Sequence, residues 1–304
     1  MIHDVVIVGG GPGGLSAALA LGRARRRVLL TDSGPRRNAA AVHIQNFVTR
    51  DGTPPQEFRR LGREQLATYP NVEVRDDRVE SLSGASGAFQ VRLASSTVEA
   101  RRVLLCTGMI DELPPIEGFR ELWGTSIFQC PYCHGWEVQD QRWSYLASAS
   151  HADKFAPFAL KLRGWTRDVV VFTAGFEVPA ETRSLLESAG IGLETAPVSR
   201  LVARGGRLTA VELANGKQVA RDVLFSHPEQ RQVELVRATG VEFDDDGYVR
   251  IDPMRSETSV PGIYAAGDLT TRMQSAILAA AAGTRAATMI NFDLAMDLGP
   301  KGLL

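Results

Sequence analysis

The sequence predicts an α/β protein of two Rossmann-like (three-layer ββα) nucleotide-binding domains, the second inserted into the first. Three observations predict it. An apolar, β-branched run at 2–8 meets the turn Gly9-Gly10-Gly11-Pro12-Gly13-Gly14, then a helix-like stretch, then a second apolar run ending at Asp32. A strand–helix–strand order recurs between Ser144 and Phe172. Late in the chain, Val260 to Asp268 reads as a strand returning to the first domain, ahead of an alanine-rich helix.

The elements follow in order. Ile2 to Val8 is a continuous apolar run, the mark of a buried parallel strand. Leu15 to Arg26 has helical composition, and Arg25-Arg26-Arg27 suit the negative end of that helix. Val28 to Thr31 completes a βαβ unit. Thr53 and Pro54-Pro55 signal the start of a helix over 57–69. Val72 to Val103 reads as antiparallel strands with turns at Ser83-Gly84 and Ser86-Gly87. Val103 to Gly108 is a buried strand ending in glycine, and Asp111 to Gly118, with Pro114-Pro115, is a crossover. Trp143 to Ala147 is strand-like, Phe155 to Leu162 helical, Val169 to Phe172 a strand, and the last helix spans about Gln274 to Asp297. The domains are expected at 1–112 plus 236–304 and at 113–235.

With 304 residues, 44% of them hydrophobic, the chain can bury two cores. A net charge of −1 gives no sign of a nucleic-acid or anionic-membrane partner. Three cysteines are too few for a secreted disulfide framework. The apolar N-terminal run is broken at once by five glycines and a proline within six residues, so it reads neither as a leader nor as a membrane span. The expectation is a cytoplasmic protein.

In the first turn Gly9 allows a tight bend, Gly11 close approach of a pyrophosphate, and Gly14 close helix–strand packing. The helix N-terminus offers unpaired N–H groups to phosphates, and Asp32 can accept from a ribose diol. These features do not choose FAD over NAD. The second feature is Cys130-Pro131-Tyr132-Cys133, with His134 next to it. Two cysteines spaced C-x-x-C at a helix start can bridge, and the helix dipole lowers one thiol's pKa. A zinc site would need two more soft ligands, and Cys106 in its apolar strand makes a poor one, so no metal is expected. Trp123, Phe128, Tyr132 and Trp136 crowd the same stretch, either lining a pocket or serving as core.

Taken together, G-G-G-P-G-G at 9–14, C-T-G at 106–108, C-P-Y-C at 130–133 and T-S-V-P-G-I-Y-A-A-G-D at 258–268 resemble the low-molecular-weight thioredoxin reductase-like flavoproteins, over nearly the whole chain. That resemblance implies FAD, held by Gly9, Gly11, Pro12, Gly13, Gly14, Asp32, Gly108, Gly267 and Asp268. It also implies Gln274 and Ser275 at the flavin's pyrimidine end, with Asn46 near the ring. It makes Cys133 the sulfur that faces the flavin and Cys130 the one that meets substrate, and it implies a homodimer. His134 stands where thioredoxin reductases usually carry Asp. An imidazole takes a thiol proton near neutral pH, so His134 joins the two cysteines as a catalytic candidate. C-P-Y-C-H-G-W-E resembles in particular the gliotoxin- and holomycin-type dithiol oxidases, which close a disulfide in a small molecule and pass electrons to oxygen.

The second half departs from the pattern. No glycine occurs between Gly135 and Gly164, so Ser148 to Asp153 stands where a glycine-rich phosphate loop belongs. Nor does a basic residue follow Val171-Phe172 before Arg183, whereas NADPH-specific relatives carry such residues there. The expected function is therefore an FAD-dependent thiol oxidase acting on a small-molecule (or peptide) dithiol, with O2 as acceptor and little use of NADPH. The alternatives are a disulfide reductase fed by ferredoxin, another protein electron partner or NADPH, and a non-enzymatic flavin redox sensor.

Overall fold

A computed structural model describes residues 2–34, 36–149 and 155–302. The chain divides into two compact units. The first comprises 1–39, 47–110 and 230–304; the second comprises 40–46 and 111–229. The returning segment thus begins six residues earlier than position 236, and a short piece near 40–46 groups with the second unit.

In the first unit, β1 (Ile2–Val8) leads through the glycine turn into α1 (Pro12–Arg23), and β2 (Val28–Thr31) follows. Then come α2 (Pro55–Leu66), β3 (Val72–Arg75), β4 (Val79–Ala85), β5 (Ala88–Leu93), β6 (Thr97–Leu105) and the short β7 (Ile110–Glu112). The sheet order is β3-β2-β1-β6-β5-β4. β3 pairs parallel to β2, with Val28 opposite Val72, which corrects the antiparallel expectation for that strand. The reason is α2: a helix between two strands returns the chain to the same end of the sheet. The antiparallel reading holds for β4, β5 and β6. Ser83 and Gly84 lie inside β4 and form no turn, so only Ser86-Gly87 turns the hairpin. α1 ends at Arg23, before the arginine run rather than within it.

In the second unit, α3 (Phe119–Leu122) and β8 (Ile127–Phe128) precede α4 (Pro131–His134), β9 (Trp143–Leu146) and α5 (Phe155–Leu162). β10 (Val169–Phe172), α6 (Ala180–Ser188) and β11 (Gly192–Glu194) follow. β12 (Val198–Arg204), β13 (Arg207–Leu213), β14 (Gln218–Ala220) and β15 (Val223–Ser226) complete it. Here the parallel sheet runs β11-β10-β9-β15-β8, with β12-β13-β14 as a separate antiparallel sheet. After β16 (Glu229–Arg231), the chain forms α7 (Glu234–Arg237), β17 (Ile263–Ala265) and α8 (Ala276–Leu298), all in the first unit, where β17 joins its sheet beside β6.

Each unit has its own core. In the first, Val5, Ile7, Leu21, Leu30 and Leu104 pack with Tyr264 and Ile290. In the second, Trp143, Phe155, Leu162, Val171 and Phe225 pack together. Burying each such side chain contributes about 1.5–3 kcal/mol. Among the described residues no helix is long and apolar enough to cross a membrane.

Candidate active site

In the main sheet of each unit the chain builds outward from a central strand (β1 or β9), then crosses to that strand's other side. The crevice at the strands' carboxyl ends beside this reversal is where such folds bind ligands. In the first unit the crevice lies between β1 and β6.

There the glycines are required by contact. A Cβ at Gly14 would lie 1.8 Å from the Gly9 carbonyl oxygen, and one at Gly9 (φ 115°) would lie 2.3 Å from that of Cys106. At Gly11, the N-cap of α1, nothing among the described residues lies within 4 Å of where a Cβ would stand, so the backbone is open to a ligand. Pro12 occupies the first helical position, where its missing N–H costs nothing, and Gly13 packs under the Ala279 carbonyl. Gly108 (φ 67°) and Gly267 (φ 96°) turn the chain after β6 and β17. An open backbone at a helix start, hemmed in by carbonyls elsewhere, fits the pyrophosphate of FAD.

Around this cradle lies a polar network. Arg37 donates from Nη1 to Asp268 Oδ2 (3.1 Å) and to Gln274 Oε1 (2.5 Å). Gln274 in turn donates to Gln230 Oε1 (2.8 Å) and to the Asp268 carbonyl (3.2 Å). Ser275 caps α8, its hydroxyl accepting from Leu278 N–H. Asp32 is buried at the end of β2, and its Oδ1 accepts from Gly34 N–H at 2.9 Å. Arg59 Nη2 lies 2.5 Å from Asp32 Oδ2, an ion pair whose angle is not that of a hydrogen bond. Asn46 groups with the second unit, so the first unit's own geometry does not bring it to the other cofactor candidates.

Arg37, Arg59 and Gln230 escaped the sequence reading. None lies in a motif or periodic pattern, and only the fold brings Gln230 and Gln274 together.

In the second unit the dithiol sits on a short helix against an aromatic platform. Cys130 is the N-cap of α4, and Cys133 Sγ lies 2.7 Å from Cys130 Sγ, so little movement is needed to reach an S–S bond of about 2.05 Å. Gly135 lets the helix seat against Trp165, whose indole nitrogen would be 2.9 Å from an added Cβ. Tyr132 meets Trp165 edge-on at 5.3 Å. The Cys130 thiol is lowered to about 7: the hydrogen bond from Cys133 contributes most, burial opposes it, and the amides of Cys133 and Tyr132 and the Lys161 charge assist.

His134 stacks on Phe128 at 4.4 Å. Burial lowers its pKa, with Glu137 opposing, so the ring is neutral at pH 7. Among the described residues its Nδ1, itself buried, has no hydrogen-bond partner and is left as an acceptor. Phe128 is core, Trp123 stacks on Phe119, and Tyr132 and Trp136 are exposed, so the aromatic group divides between core and surface. Cys106 packs against the first core, where burial pushes its thiol up to about 12.

At the corresponding crevice of the second unit, beside β9 and β15, the chain carries rings. Tyr145 packs on Phe158 at 4.6 Å, and Phe158 meets His227 edge-on at 4.5 Å. Of the glycine-free segment, Ser148 and Ala149 are described; 150–153 lie outside the described residues.

A family model for pyridine nucleotide-disulphide oxidoreductases matches residues 3–171 and 166–283. The chain belongs to that family. It is an oxidoreductase and an FAD-carrying flavoprotein, thioredoxin reductase-like in fold and disulfide or dithiol in substrate class. A thioredoxin reductase, tcpT, from Claviceps purpurea is 30% identical over 99% of this chain and 98% of its own. Another, sirT from Leptosphaeria maculans, is 29% identical over 100% of this chain and 98% of its own. Among solved structures, HlmI is 38% identical, with TM-score 0.91, covering 99% of this chain and 95% of its own. The resemblance drawn from the four motifs is upheld.

Proposed function

We propose that this enzyme is an FAD-dependent dithiol oxidase that closes a disulfide in a small-molecule or peptide dithiol, with O2 as electron acceptor and little use of NADPH. One contrast supports the reading. The flavin cradle is glycine-lined and the Cys130–Cys133 pair is at bridging distance, whereas the second crevice carries Tyr145, Phe158 and His227 and is followed by a glycine-free segment.

In the resting enzyme Cys130 and Cys133 form a disulfide. A substrate thiolate attacks the Cys130 sulfur, the S–S bond breaks, and Cys133 leaves as a thiolate. The second substrate thiolate then attacks the substrate sulfur of the mixed disulfide, releasing Cys130 as a thiolate and the substrate as a disulfide. The substrate loses two electrons and two protons, and the cysteine pair gains the two electrons. His134, neutral and with Nδ1 unpartnered, takes a proton from an incoming thiol. Gly9, Gly11, Gly13, Gly14, Asp268, Gln274 and Ser275 would hold FAD. When bound, FAD would supply a two-electron sink for the dithiol pair.

The names of the curated relatives favour a second reading, a disulfide reductase with electrons flowing the other way. Oxygen uptake separates the two. Purified yellow enzyme is given a panel of dithiols in air, then NADPH or reduced ferredoxin with thioredoxin under argon. Uptake with a dithiol alone is the expected result; thioredoxin reduction without uptake in air sinks the oxidase.

A further inference from the structure

We propose that Lys161 is a positioning residue for the dithiol: it holds a positive charge within reach of the Cys130 sulfur, which favours departure of Cys130 as a thiolate and draws in an anionic substrate thiolate. The inference rests on the oxidase reading for its place in turnover, but the charge–sulfur pairing does not depend on it.

Lys161 lies in the last turn of α5, on a different element from the cysteines. Two rings fix where its side chain ends. Nζ sits 4.6 Å from the Phe158 ring centroid and 5.4 Å from that of Tyr132, both inside the range of cation–π attraction. Tyr132 stands between the two cysteines in α4 and is itself held edge-on by Trp165. A flexible, exposed lysine is thereby confined over the dithiol helix, its stem on the rings and its ammonium toward water.

Other described groups also act on Cys130, and His134 hydrogen-bonds its backbone. The Cys133 thiol donates to its sulfur, and the amides of Tyr132 and Cys133 add to this. His134 turns its ring to Phe128, and Glu137, just past α4, accepts from Gln45 Nε2 and acts on His134. Among the described residues, Lys161 is a cation whose field acts on Cys130 and, after the hydrogen bonds, helps to lower that thiol.

The hydrogen bond from Cys133 exists only in the dithiol form. In the mixed disulfide, Cys133 has departed as a thiolate and has no proton to donate. The charge of Lys161 persists through every state, so it acts at the step in which Cys130 is the leaving group. A leaving thiol of lower pKa leaves faster.

The test reads the sulfur directly. Reduced holoenzyme is trapped with iodoacetamide from pH 5.5 to 9, and the Cys130 peptide is quantified by mass spectrometry. Wild type is expected to titrate near 7. Lys161→Met is expected to shift the midpoint upward by about half a unit to one unit, Lys161→Arg to restore it, and high salt to narrow the gap. Tyr132→Leu, which frees the ammonium, is expected to fall between. Dithiol turnover by Lys161→Met is expected to drop about three- to tenfold. Superimposable trapping profiles for wild type and Lys161→Met overturn the proposal. A shifted profile in enzyme that consumes no oxygen with any dithiol leaves the Lys161 pairing standing and overturns the oxidase instead.

Discussion

The two units solve the same problem of topology with opposite side chains. In the first, β1 passes into α1 through residues 9–11, all glycine, and the helix start closes to within contact of the Gly9 carbonyl. In the second, β9 and α5 are separated by residues 147–154, none of them glycine, and Tyr145 of β9 and Phe158 of α5 pack with His227, just past β15. Both still pair the central strand parallel to its neighbours and reverse the strand order there, although the first sheet adds antiparallel β4 and β5. The lesson is that the sheet and helix need only apolar runs of the right period, whereas the anion cradle needs side chains absent at particular points. Fold and ligand are separable within one chain.

The sharpest way to break the comparison is to remove a sulfur. Cys133→Ser is expected to lower dithiol-dependent oxygen uptake on the order of a thousandfold, because no second thiolate remains to pass electrons on. FAD content, read from the visible spectrum, is expected to be unchanged, since the cradle belongs to the other unit. A variant that keeps both its flavin and its wild-type rate contradicts the role given to the pair.

A second pair of changes separates packing from cofactor. Gly14→Ala places a methyl 1.8 Å from the Gly9 oxygen, which the backbone must move to relieve, at a cost of about 3 kcal/mol or more. Gly11→Ala meets nothing in the protein and has an ordinary φ of −77°, so apoprotein stability is expected to stay within about 0.5 kcal/mol. It is nonetheless expected to weaken FAD at least about tenfold, because its methyl enters the space a pyrophosphate needs. Urea unfolding of the apoproteins, followed by flavin titration, checks both. Equal loss of stability in the two variants would mean that Gly11 serves packing too.

Much of this was legible in the sequence. The four motifs and the continuous apolar runs at 2–8, 28–31 and 169–172 are local signals, and each lies where its element lies. The parallel pairing of β3 was not, because a four-residue strand carries no mark of its direction; that is set by α2 before it. Ser83-Gly84 looked like a turn from composition alone, yet Gly84 takes its positive φ inside a continuous strand. Arg37 and Lys161 escaped for a further reason. An exposed or half-buried cation has no periodicity, and Asp268 lies 231 residues from Arg37, while Tyr132 lies on another helix from Lys161.

The third test concerns the crevice beside β9. NADPH added anaerobically is expected to leave the flavin yellow for minutes and to show a Kd weaker than about 1 mM. Ala147, Ser148 and Ala149 each carry a Cβ, where Gly11 presents bare backbone. Micromolar affinity with rapid bleaching would restore the second unit as a working nucleotide site and erase the contrast.

The smallest effect is a pH dependence in the second unit alone. His134 is buried against Phe128, and burial lowers its pKa, with Glu137 opposing. Its unfolded value is 6.5, so the unfolded chain binds the proton first as pH falls. The stability it contributes is complete above 6.5 and is lost as pH drops from there through the lower folded value. His134→Phe keeps a ring to stack on Phe128 but cannot take the proton. Its melting temperature is therefore expected to fall less than that of wild type between pH 7 and pH 5, with the two curves parallel above pH 7. A wild-type curve no steeper than the variant's would mean that packing against Phe128 does not lower the imidazole's pKa in the folded state.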